Sequence, residues 1–192
     1  MALLPDASFE GASLGGVPEP RTRRGKLRSD VEALVLAALS GGSPDDPEPW
    51  RPLLARAEAQ GLAAEEAVAV EAKRRLELEP KGRERKAIEK EFEESAKRDA
   101  RRARRESLEL SLTLTALTFR DLICLAEDAS DAVLAADWAP ALAEQARSRD
   151  PRRLREAAER CEEVRQSLEL NVTEDLALSA LGFRLGALAG AR

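Results

Sequence analysis

The sequence predicts an all-α fold, a helical bundle with one long charged helix, and three observations carry that prediction. Alanine (35 residues) and leucine (29) make up a third of the 192-residue chain, against eight valines and two isoleucines. Such a composition is rich in strong helix formers and poor in the β-branched residues that strands favour. No Gly or Pro interrupts the 45 residues from Arg83 to Glu127. In the C-terminal half, apolar residues return at spacings of three and four, the period of a helix with one covered face.

The elements follow in order. Residues 1–27 contain Gly15-Gly16, three prolines and little periodicity, and are expected to form a disordered tail or the stump of a missing upstream module. A first helix is expected from Ser29, a suitable N-cap, to Leu39, with Gly41-Gly42 as its stop. The acidic, proline-bearing run Asp45 to Trp50 suits the start of a second helix. That helix is expected to end near Gly61, and a third to run to Leu78, with Pro80-Lys81-Gly82 as a break.

The next helix is expected from Arg83 to Glu127. Ile88, Phe92, Ala96 and Ala103 fall on one face, with a basic stripe opposite, and Glu93–Lys97 and Glu94–Arg98 are i,i+4 pairs in the favourable order. Leu108, Leu110, Leu112 and Leu114 alternate with polar residues, as in a half-buried strand. With no turn signal beside them and no partner strand, helix is the better reading. A short helix is expected from about Trp138 to Ser148. Asp150-Pro151 then supplies an N-cap and a first-turn proline for a helix with Leu154, Ala157, Cys161, Val164 and Leu168 on one stripe. The last helix begins after Asn171-Val172-Thr173-Glu174 and carries Leu176, Leu181, Phe183, Leu185 and Leu188. Its thin polar face predicts a central position or contact with another subunit.

Composition excludes several chemistries. With no His, neither a Ser-His-Asp nor a Cys-His site can form, nor any zinc site that uses His. Cys124 and Cys161 are expected to be small core hydrophobes in a reducing compartment. No phosphate-cradling Gly-rich loop is present, and no cofactor or metal is expected. No stretch reaches the ~18 apolar residues of a membrane span. Residues 1–16 lack the basic and apolar regions of a signal peptide, so a cytoplasmic protein with no membrane contact is expected. Asn171-Val172-Thr173 is then a chance match to a glycosylation acceptor.

Charge is uneven. Residues 80–105 carry a net +5, residues 28–79 a net −5 and residues 106–192 a net −6. The stripe Lys86, Lys90, Lys97, Arg101, Arg104 and Arg105 could contact nucleic acid, although Glu84, Glu91 and Glu94 dilute its field. No aromatic residue on that side could stack on bases. Asp121, set in an apolar run beside Arg120, is expected in a local ion pair or an interface contact rather than in catalysis.

Residues from about 28 to 189 resemble the collar of bacterial DNA polymerase III clamp-loader subunits. The motifs are the charged long helix, Phe119-Arg120-Asp121-Leu122, the Trp138 helix, the Asp150-Pro151 helix ending Arg165-x-x-Leu168-x-x-Asn171, and Leu176-Ala177-Leu178-x-x-Leu181-x-x-Arg184-Leu185. Gly82-Arg83-Glu84-Arg85-Lys86, leading into the long helix, makes the chain more similar to delta prime than to its gamma/tau paralogue. The resemblance implies a lid-end and linker over residues 28–80 and an oligomerisation collar over 81–192. It also implies a non-catalytic subunit of the DNA-directed DNA polymerase holoenzyme, packing against gamma/tau and delta to load the sliding clamp in replication.

Family members carry an upstream AAA+ module with a four-Cys zinc element and a Ser-Arg-Cys motif. These residues hold none of it, so ATP-site, zinc and clamp roles are not carried over. Leu117, Phe119, Leu122, Leu176, Leu181, Phe183 and Leu185 are expected at the subunit interface. The alternatives are a small helical nucleic-acid-binding protein using residues 83–105, or a gamma/tau-type collar fragment.

Overall fold

The computed structural model describes residues 20–42, 46–78, 82–170 and 172–190. Six α-helices follow one another: α1 (Pro20–Leu39), α2 (Arg51–Leu78), α3 (Arg83–Ala126), α4 (Ala139–Ala146), α5 (Pro151–Ser167) and α6 (Glu174–Ala189). Two 3-10 turns, Ser130–Ala132 and Leu168–Leu170, complete the order, and no strand occurs among the described residues. The fold is all-α, as composition and periodicity predict.

Helix α3 organises the molecule. Its 44 residues span about 66 Å at ~1.5 Å per residue, and it packs against α1, α2, α4 and α5, while α6 lies on α5 and α1. Its two halves do different work. Leu108, Leu112, Phe119 and Leu122 are fully buried. Between them sit Ser111, Thr115 and Thr118, also buried, whose hydroxyls donate to the carbonyls of Ser107, Ser111 and Leu114 at 2.7–2.9 Å. This local back-bonding satisfies polar atoms inside the core, so the Leu–Ser/Thr alternation is compatible with a buried helix.

The N-terminal half of α3 leaves the body and pairs with the distal part of α2. Val68, Ala72 and Leu76 face Phe92 and Ala96 along a half-buried seam. Among the described side chains from 58 to 107, none but Gly61 is fully buried. The two helices therefore form an arm with a thin apolar seam and solvated charged flanks.

Three expected boundaries move. Helix α1 begins at Pro20, so Ser29 lies inside it instead of capping it, and Leu27 is buried in the core. Residues 1–19 of the expected tail lie outside the described residues. Helix α2 begins at Arg51, after the proline-bearing run, and Glu48 pairs with Arg51 at 2.9 Å. It then runs straight through Gly61. A Cβ there would come within 2.7 Å of Arg104 Cγ and 3.2 Å of the Ala100 carbonyl, so this glycine permits close approach of α2 and α3 rather than ending a helix.

The other stops and starts agree with expectation. Gly41 and Gly42 have φ of 80° and 100°, and their amides donate to Ala38 and Ala37 at the end of α1. Asp150 caps α5 by accepting from the Arg152 amide at 2.9 Å, with Pro151 in the first turn. One cluster of buried residues runs from Leu27 and Val31 through Leu53 and Leu108 to Leu185 and Ala189. Residues on both sides of position 80 thus share a core.

Candidate functional site

Burial sorts the seven residues expected at a subunit interface. Phe119, Leu122, Leu181 and Leu185 are at most 1% exposed. They fill the chain's own core beneath α1, α4 and α5, and cannot meet another subunit while this fold is intact. Leu117, Leu176 and Phe183 are exposed by 38%, 65% and 71%. The correction has a simple cause: an apolar helix is covered on one side by its own chain, and periodicity alone does not say which side.

Leu176 and Phe183 stand two turns apart on the outer face of α6. Ser179, Ala180 and Ala187 lie on the same face, and the exposed Arg184 borders it. Phe183 rests on Trp50, with ring centroids 5.5 Å apart and planes tilted by 58°. Trp50 is itself buried, packed over the bare backbone of Gly182. A groove of about 520 Å³ continues from this pair between α6 and the end of α1, past Leu34, Ala38 and Gly186. Trp50 went unnoticed in the sequence as part of this surface, because its contacts with α6 are made across more than 130 positions.

Leu117 belongs to a second apolar groove, of about 600 Å³, between α1, α3 and residues 134–138. Leu110 and Leu134, 51% and 64% exposed, flank it. Polar ties fix this end of the body. Trp138 Nε1 donates to Glu32 at 2.9 Å, and the Arg28 guanidinium lies over the Trp138 ring and pairs with Asp137. Asp121 is buried here. Its carboxylate accepts from the backbone amides of Leu134 (3.0 Å) and Ala135 (2.9 Å) and from Arg120 (2.9 Å). The carboxylate is saturated by its own chain and holds the 133–138 segment in place, a structural role.

The basic stripe is largely paired. Lys97 meets Glu93 at 2.6 Å, Lys90 meets Glu94 at 4.0 Å, and Arg105 meets Glu109 at 3.5 Å. Arg104 reaches Glu174 of α6 at 2.6 Å, tying the arm's base to the body. Lys86 and Arg101 make no ion pair among the described residues. On α5, hydrogen bonds from Arg165 and then Gln166 pull the half-buried Glu162 carboxyl down to about 2.

Cys161 is fully buried, and burial pushes its thiol up to about 12; Cys124 is half-buried. No group of three or more metal-ligating side chains gathers among the described residues. No helix there is long and apolar enough to cross a membrane. Among the described residues, large apolar side chains stand exposed on α6 and beside the Leu117 groove. No family model, no curated protein and no solved structure matches the chain.

Proposed function

We propose that this chain is a non-catalytic assembly module of a bacterial DNA polymerase III clamp loader, a delta prime-like collar acting in the cytoplasm. The observation that carries the reading is the apolar patch on the outer face of α6, with Leu176 and Phe183 mostly exposed and the Trp50 groove beside it. Large apolar side chains grouped on one uncovered face favour burial against another protein. The order of motifs from Gly82 to Leu185 directs the reading to the collars of gamma/tau and delta as the proteins that cover it. The buried Phe119, Leu122, Leu181 and Leu185 support the bundle from within and have no place at that interface.

Size-exclusion chromatography with light scattering tests the proposal. The chain mixed with gamma/tau and delta collar fragments at micromolar concentration gives a hetero-complex. Three separate peaks at the masses of the single chains would refute it. A complex in which this chain replaces gamma/tau instead of joining it would point to the gamma/tau-type collar.

A further inference from the structure

Where the arm joins the body, α3 presents Arg98, Arg101, Arg102, Arg104 and Arg105 to a groove of about 510 Å³, closed on the other side by Val172, Thr173 and Glu174. At ~100° per residue, Arg98, Arg101, Arg102 and Arg105 fall within about a 100° arc of the helix. They extend over about 10 Å of its axis at ~1.5 Å per residue. A row of guanidinium groups along one wall suits a ligand that repeats a negative charge at short intervals. We infer that this groove holds the phosphate backbone of nucleic acid.

Three features favour that ligand. Arg101, at the centre of the row, has no acidic partner among the described residues. Along the row the partners of the others sit at the edges, Arg98–Glu94 at 4.0 Å, Arg102–Glu106 at 2.7 Å and Arg105–Glu109 at 3.5 Å, while Glu174 on the opposite wall is already neutralised by Arg104 at 2.6 Å. Exposed pairs of this kind are each worth about 1 kcal/mol or less, so a phosphate that accepts two guanidinium hydrogen bonds can displace the carboxylate. Leu168 is buried, which leaves Val172 as the one exposed aliphatic side chain of the groove. An acidic protein segment would find almost no apolar anchor.

No aromatic side chain lines the groove, so contact is with phosphates and not with bases. The inference also narrows the basic stripe. Towards Lys86 and Lys90, glutamates alternate with the basic residues, and the surface is mixed in sign.

Fluorescence anisotropy with the full chain and labelled duplexes of about 20 base pairs tests this. About four phosphate contacts predict a slope of log K against log salt near −3.6. Affinity then falls about 150-fold between about 50 and 200 mM salt. Two duplexes of unrelated sequence bind alike. Arg98→Glu with Arg101→Glu, both on the exposed surface, abolishes binding with the circular dichroism spectrum unchanged, while Lys86→Glu leaves it within about twofold of the parent. Absence of binding at low salt overturns the inference, as does an equal loss in Lys86→Glu. Displacement of the duplex by polyglutamate at equal charge concentration would also overturn it, assigning the groove to an acidic protein.

Discussion

Replacing Gly182 by alanine sets two effects of known size against each other. In the middle of a helix, alanine is favoured over glycine by about 1 kcal/mol. The new methyl of Gly182→Ala would sit 2.2 Å from Trp50 Cε3 and 2.5 Å from Cζ3, well inside the ~3.5–4.0 Å of a relaxed carbon contact. Trp50 is buried, so its ring must shift by more than an ångström within packed surroundings. Overpacking of this kind costs about 1–3 kcal/mol, and a displaced ring also loses its contact with Phe183, worth about 0.5–1.5 kcal/mol. The net expectation is destabilisation of about 2 kcal/mol.

Gly61→Ala is the matched control. There the methyl meets mainly the Arg104 side chain, whose Cγ and Cδ lie at 2.7 and 3.0 Å and can move at the cost of a half-buried ion pair, with the Ala100 carbonyl at 3.2 Å, so the net change is smaller than at Gly182, within about 1 kcal/mol of zero. Urea unfolding followed by far-UV circular dichroism, with Trp fluorescence as second probe, reads both. Equal stabilisation of the two variants would mean that Trp50 is not seated on the backbone of α6.

Two further outcomes are expected. Asp121→Ala leaves the amides of Leu134 and Ala135 without their charged acceptor and lowers stability by about 2–3 kcal/mol; a change below about 0.5 kcal/mol in urea unfolding would contradict the role assigned to this carboxylate. Thiol labelling at about pH 8 modifies Cys124 first, since a thiol with its pKa near 12 has only about one part in ten thousand as thiolate. Cys161 reacts only in denaturant, and mass spectrometry showing equal labelling of both in the native chain would place Cys161 outside the core.

Much of this fold is legible in the sequence, because local signals and burial agree. Pro151 and Asp150 open α5 where their chemistry says they should, and the gap in Gly and Pro from Arg83 to Glu127 marks α3 almost to the residue. Gly61 misleads for a physical reason: a glycine that lets a neighbouring helix approach looks, in one dimension, like a glycine that ends a helix. The start of α1 is hidden because Pro20 and Gly25 lie in a stretch without apolar periodicity, where Leu27 is the first described side chain to reach the core.

The interface expectation fails in the same way at Phe119, Leu122, Leu181 and Leu185. Hydrophobic density says that a helix must be covered, but not by what, and here α5 and α1 do much of the covering. Leu176 and Phe183 are the part of that expectation that reaches the surface.

The outer face of α6 is therefore the feature to test directly. Full burial of a Leu or Phe side chain is worth about 1.5–3 kcal/mol, so covering the exposed parts of Leu176 and Phe183 contributes about 2–4 kcal/mol to assembly. Sedimentation equilibrium should compare the parent with Leu176→Asp/Phe183→Asp, each mixed with gamma/tau and delta collar fragments. The account predicts a complex weakened by about 30-fold or more, with the isolated chain still folded and less stable only by the lost Phe183–Trp50 contact, about 0.5–1.5 kcal/mol. Equal dissociation constants for parent and variant would contradict it.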